Sequence, residues 1–174
     1  MPINQALLII DLQTGVCHGQ QPVANLDTLI DGVNRRIARY HAAQAPVIFV
    51  QHTDEDLPLH SAAWALLPTL DAQPGDYYVG KTHANAFYQT DLGTQLRALG
   101  VTALEIAGAQ VEFCVDTTVK MAHGLGYQLT MVPGLTTTTA NDFLSAQQTI
   151  DFYERRIWQQ RFLTFISLNT PVTN

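Results

Sequence analysis

Asp11, Lys81 and Cys114 are three residues that can do chemistry together. A cysteine thiolate is a nucleophile, a carboxylate can take the thiol's proton, and an ammonium can hold that carboxylate in place and ionised. Asp11 directly follows the apolar run Leu7-Leu8-Ile9-Ile10, and Lys81 follows Tyr77-Tyr78-Val79-Gly80. Cys114 closes the segment 108–114, which joins an apolar run to a helical pattern. At a helix N-terminus the oriented backbone N–H groups and the positive dipole end favour the thiolate, so this placement predicts a lowered thiol pKa. The N–H groups of the same turn can bind a developing oxyanion. Each residue also has an ordinary alternative. An Asp after a strand commonly caps a turn, a free cysteine commonly packs as a small hydrophobe, and most lysines are solvated surface charges.

Elements that can position these residues are readable in the chain. Short apolar runs at 6–10, 46–50, 104–107, 128–132 and 162–166 predict strands, with a less marked candidate at 77–79. Continuous apolar runs suit strands covered on both faces, as in a parallel sheet. Between them Leu26, Leu29, Ile30, Val33 and Ile37 form an apolar stripe at helical spacing. Leu92, Leu96 and Leu99 form a second, stopped by Gly100, and Val115, Val119, Ala122 and Leu125 a third, ended by Gly126. A longer helix carries Leu144, Gln148, Asp151 and Phe152, with Thr139 or Asn141 as its cap and the threonine run 136–139 leading into it. The alternation predicts a three-layer α/β/α sandwich around a mainly parallel sheet of five or six strands, one domain over residues 1–174. Ligands of such sheets bind at the carboxyl ends of the strands, where Asp11, Gln51 with His52, Lys81 and the segment 108–114 all fall.

These residues resemble the isochorismatase-like cysteine hydrolase superfamily. The resemblance is carried by the strand ending in Asp11 with Gln13 after it, and by Gly80-Lys81-Thr82 followed by Ala86-Phe87. It continues in Gly108-Ala109-Gln110-Val111-Glu112-Phe113-Cys114-Val115-Asp116-Thr117-Thr118 and in Gly124-Leu125-Gly126-Tyr127. It implies a triad of Asp11, Lys81 and Cys114. It also implies a cis peptide at Ala109-Gln110 that turns the Gln110 N–H toward an oxyanion beside the Cys114 N–H. The implied activity is hydrolysis of a small amide through a thioester. The alternatives are the vinyl-ether cleavage of isochorismatases and a catalytically idle binding protein on the same fold. Members commonly assemble as dimers or larger oligomers.

The chain departs from the family pattern in places. Val111 stands where Thr is frequent, and Val132-Pro133-Gly134-Leu135 where an Asp-containing pair is frequent. Metal-binding members carry an Asp and two His after the second strand; here the segment reads Val50-Gln51-His52-Thr53-Asp54, without the Asp-x-His spacing. The match is therefore to metal-free members, with no metal ion or other cofactor expected. Candidates for substrate contact are Gln13, Gln51, Trp64 and Phe113, although packing alone accounts for most aromatics. Cys17 reads as a loop or pocket-wall residue.

Composition narrows the partners. Of 174 residues 47% are hydrophobic and 14% charged, against about 25% charged in an ordinary soluble domain. Such a chain can bury a full core and has apolar surface to spare for a subunit interface. The net charge of −6 and the absence of a basic cluster argue against nucleic acid or an anionic membrane surface as partner. No apolar run approaches the ~20 residues of a membrane helix, and residues 1–10 lack the basic start of a signal peptide. Two cysteines make no disulfide framework, which predicts a cytoplasmic protein acting on a small-molecule substrate.

Overall fold

The computed structural model describes residues 4–173; the ends of the span read as one domain and of the segment read for a signal lie outside it. The apolar runs form β1 (Gln5–Ile10), β2 (Val47–His52), β3 (Tyr77–Lys81), β4 (Ala103–Ala109) and β5 (Gln128–Met131). Two short strands complete the sheet, β6 (Thr136–Thr137) and β7 (Thr164–Phe165). The order is β3-β2-β1-β4-β5-β7, with β6 also paired to β4, and every pairing is parallel. The helices are α1 (Thr14–Cys17), α2 (Leu26–Ala42), α3 (Leu92–Ala98), α4 (Asp116–Gly124) and α5 (Ala146–Phe152), with π-helical segments at Val111–Val115 and Tyr153–Trp158.

The expected α/β sandwich is therefore present, with seven strands among the described residues in place of five or six. The extra strand is Thr136–Thr137, which continues β4's outer edge opposite Gly108 and Ala109 instead of leading into a helix. The last helix begins later than expected. Ser145 caps it, its side chain accepting from the Gln148 N–H while the Gln148 side chain returns to the Ser145 N–H. Gly100 and Gly126 stand just past α3 and α4 at φ 66° and 90°, the left-handed conformation that ends a helix.

Both faces of β1 and β4 are buried along their whole length. One face packs Leu8, Ile10, Val50, Val79 and Ile106 against Leu92, Leu96, Val115 and Val119 of the α3–α4 layer. The other packs Leu7, Ile9, Phe49 and Ala107 against Leu29, Val33, Ile37 and Tyr40 of α2. Alternation along each strand divides the apolar run between two helical layers, which is why the runs are continuous. One ion pair is buried inside the second layer. Arg36 meets both carboxylate oxygens of Glu105 at 2.7 and 2.6 Å, and Tyr40 donates to the same carboxylate at 3.0 Å. Arg36 also donates to the carbonyls of Leu168 and Thr170, tying the end of the chain to α2.

Candidate active site

The carboxyl ends of β1, β3 and β4 bring three polar side chains together. Asp11 is the first residue past β1; its N–H donates to the Val50 carbonyl at 3.0 Å and its φ is 51°. Asp tolerates that left-handed turn better than a β-branched residue would. Lys81 is the last residue of β3, in register with His52 on β2. Cys114 lies in the π-helical segment that follows β4, where the Val115 N–H reaches the Gln110 carbonyl at 3.2 Å.

Gly108 makes the approach of β4 to β1 possible. It has φ 132°, and a Cβ there would run into the Ile10 carbonyl oxygen and nitrogen. Without a side chain the two backbones close up, and Cys114 comes down beside Asp11. The peptide bond that follows β4, Ala109-Gln110, is cis.

Lys81 is the hub of the site. Its Nζ donates to Asp11 Oδ2 at 2.6 Å, to Cys114 Sγ at 3.3 Å and to His52 Nδ1 at 3.2 Å. An ammonium has three protons and no acceptor, so these three contacts satisfy it and require an unprotonated His52 Nδ1. The other ring nitrogen, Nε2, then carries the proton and faces Asp54 Oδ2 at 3.1 Å. The side chains of Lys81 and Asp11 are buried, so their charges are held by each other. The second oxygen of Asp11, Oδ1, is buried and takes no hydrogen bond from nitrogen or oxygen.

Burial raises the Asp11 pKa, and Lys81 opposes that rise. The Cys114 thiol is pushed up to about 12, by burial first and by the Asp11 charge second, with Lys81 pulling the other way. The lowered thiol pKa expected from a helix N-terminus is thus overturned. Cys114 is the fourth residue of the five-residue π-helical segment, beside the Asp11 carboxylate, and burial outweighs the dipole. The resting thiol keeps its proton beside a carboxylate made more basic by its surroundings.

A cavity of about 340 Å³ opens onto Cys114 and Asp11. Gln110, Phe113, His52 and Asp54 border it, with Val16, Leu57 and Ala84 as its apolar wall. Phe113, 55% exposed, is the one expected substrate contact that the fold brings here. The other three are elsewhere. Gln13 is fully buried; its amide donates to the carbonyls of His52 and Trp64 and accepts from the His52 N–H, clamping the end of β2. Gln51 and Trp64 line a separate cavity of about 410 Å³ with Tyr78, Val79 and Gly80. Gln51 and His52 are consecutive on a strand and therefore point to opposite faces. Cys17 is fully buried, and its neighbour Val16 takes the pocket-wall position instead. Val111 is buried in the core beneath the segment, and the Leu135 carbonyl receives the Gly108 N–H at 3.0 Å, so both departures from the family pattern serve packing and backbone pairing here. Asp54 and Gly108 were not singled out by sequence reasoning. Strand alternation after residue 50 and the single glycine near the end of a strand were the signals available for them.

The isochorismatase domain model matches residues 5–157. A streptothricin hydrolase of Streptomyces noursei is 33% identical over 131 residues, covering 73% of this chain and 47% of that protein. A ureidoacrylate amidohydrolase of Agrobacterium fabrum is 31% identical over 115 residues, covering 64% of this chain and 50% of that protein. The chain thus spans about half the length of these two relatives. The crystal structure of an isochorismatase family protein superposes with a TM-score of 0.92 at 52% identity, covering 94% of this chain and 98% of that one. Among the described residues no helix is long and apolar enough to cross a membrane.

Proposed function

This chain belongs to the isochorismatase family, and on that premise we propose that it is a cysteine hydrolase of small amides, with Cys114 as nucleophile, Asp11 as general base and acid, and Lys81 as their anchor. The observation that carries the reading is the buried Lys81 ammonium, within hydrogen-bond reach of both the Asp11 carboxylate and the Cys114 sulfur at the floor of a cavity.

Asp11 takes the thiol proton as Sγ attacks the amide carbonyl carbon, so thiolate forms only as it is consumed. A thiol pushed up to about 12 beside a raised carboxylate suits such a coupled transfer better than a standing thiolate. The carbonyl oxygen becomes an oxyanion and accepts from the N–H groups of Gln110 and Cys114. Protonated Asp11 donates to the departing nitrogen, the C–N bond breaks, and an amine leaves a thioester on Cys114. Water then attacks the thioester, giving its proton to Asp11. The carboxylic acid departs, and Asp11 returns the proton to sulfur. Lys81 stays protonated throughout and balances the carboxylate. His52, fixed by Asp54 as the Nε2–H tautomer, receives the third ammonium proton and keeps the other two directed at Asp11 and sulfur.

The purified chain and its Cys114→Ala variant, assayed against a panel of small amides, test this. The expected result is amine release from at least one amide and a loss of at least about 1,000-fold in the folded variant. Full activity of the variant overturns the assignment, and so does a folded wild type that cleaves none of the panel.

A further inference from the structure

The low charge of the chain has a local consequence at the cavity. Of the nine lysines and arginines in the sequence, Lys81 alone, among the described residues, contacts the groups that border it. Its three protons are already directed at Asp11, His52 and Cys114. His52 accepts from that ammonium and is therefore neutral, its Nε2–H facing Asp54. Asp11 and Lys81 cancel. The remaining ionised group on the wall is Asp54, whose side chain is 46% exposed and whose Oδ1 accepts from the N–H groups of Asp56 and Leu57. The rest of the wall is Val16, Leu57, Ala84 and Phe113. Among the described residues the cavity thus presents one uncompensated carboxylate and no free cation, in a chain of net charge −6.

We infer that the site takes amides that are uncharged or positively charged around the scissile bond and rejects those bearing a carboxylate or phosphate, with Asp54 as the residue that sets this preference. An anionic substituent entering this cavity would lose its water and gain no counterion, while sharing the cavity with Asp54. The N–H groups of Gln110 and Cys114 offer no remedy. An anion placed on them would occupy the position that the reaction's oxyanion needs, and would inhibit instead of reacting. The inference rests on the hydrolase reading for its substrate, while the charge filter itself is a property of access to Cys114.

Labelling of Cys114 measures that filter without turnover. Iodoacetamide and iodoacetate share one mechanism, displacement of iodide by sulfur, and differ by one negative charge. The rate of each on the native chain is followed by mass spectrometry of the Cys114 peptide, and their ratio is divided by the same ratio for the urea-unfolded chain. The expected preference for iodoacetamide is at least about tenfold, reduced at least about threefold in Asp54→Asn. Asparagine retains an oxygen for the Asp56 and Leu57 N–H groups, so the variant preserves the turn. A normalised ratio within about twofold of unity, or one that Asp54→Asn leaves unchanged, overturns the inference. In turnover, butyramide and 4-aminobutyramide should both exceed succinamate in kcat/KM, and equal rates on succinamate overturn it as well. Retained hydrolysis by Cys114→Ala would instead overturn the assignment of Cys114 as nucleophile and leave the labelling result standing.

Discussion

Lys81 reaches Asp11 across the end of an intervening strand. The two residues belong to β3 and β1, which are separated by β2, and yet Nζ lies 2.6 Å from Oδ2 with both side chains out of solvent. The positive φ of Asp11 turns its carboxylate over the end of the sheet toward that ammonium. Two charges are thus removed from water together, which is tolerable only while both are present.

Lys81→Met should therefore cost both activity and stability. Hydrolysis is expected to fall by about 100-fold or more, and folding stability by about 3 kcal/mol at neutral pH. The pH dependence has a definite sign. Burial already raises Asp11, and without Lys81 the rise goes unopposed. A carboxyl with a raised folded pKa holds a proton that the unfolded chain releases, so the folded state gains relative stability as pH falls. Thermal melts should show the gap between variant and wild type narrowing from neutral toward acid pH. Lys81→Arg should not restore activity, because a planar guanidinium cannot meet three acceptors arranged around a tetrahedral ammonium.

Asp11→Asn should separate nucleophilicity from catalysis. Beyond burial, the Asp11 charge raises Cys114. With Asn in place, burial still raises the thiol but the Asp11 charge no longer adds to it, so Lys81 is opposed by less and the pKa falls. Iodoacetamide labelling at neutral pH is expected to rise at least about tenfold, while amide hydrolysis falls about 100- to 10,000-fold for want of the base and acid. In the wild type, by contrast, the labelling rate should climb with pH without a plateau near the ordinary thiol value, since the thiol is pushed up to about 12.

Gly108→Ala should loosen the site from its floor. The added Cβ meets the Ile10 backbone in a conformation, φ 132°, that L side chains rarely adopt. Relief requires β4 to move from β1, carrying Cys114 away from Asp11. A loss of about 2–4 kcal/mol in chemical denaturation is expected, with hydrolysis impaired even where the variant remains folded.

Much of this molecule was legible in the chain because it depends on local pattern. The apolar runs, the stripe from Leu29 to Ile37 and the glycines at 100 and 126 each follow from the period of a strand or helix and from how a helix stops. What depended on geometry between distant segments was less accessible. Gln51 and Trp64, expected at the substrate, line a cavity together, but on the face of the sheet away from Cys114. Thr136 and Thr137 pair with β4 because Gly108 and Ala109 extend past the β4–β5 ladder, which a two-residue run cannot announce. The thiol pKa was misjudged for a related reason. A dipole is visible in a sequence, whereas the depth at which burial and Asp11 outweigh it is not.

The central claim is that an acyl group passes through Cys114. Intact-mass analysis of the enzyme, acid-quenched during turnover of a cleaved amide, tests it most directly. The prediction is a mass increase equal to the acyl portion of the substrate, located on the Cys114 peptide, released by hydroxylamine and absent from Cys114→Ala. Steady turnover by Cys114→Ala, or an adduct on any other residue that forms and decays at the rate of hydrolysis, would contradict it.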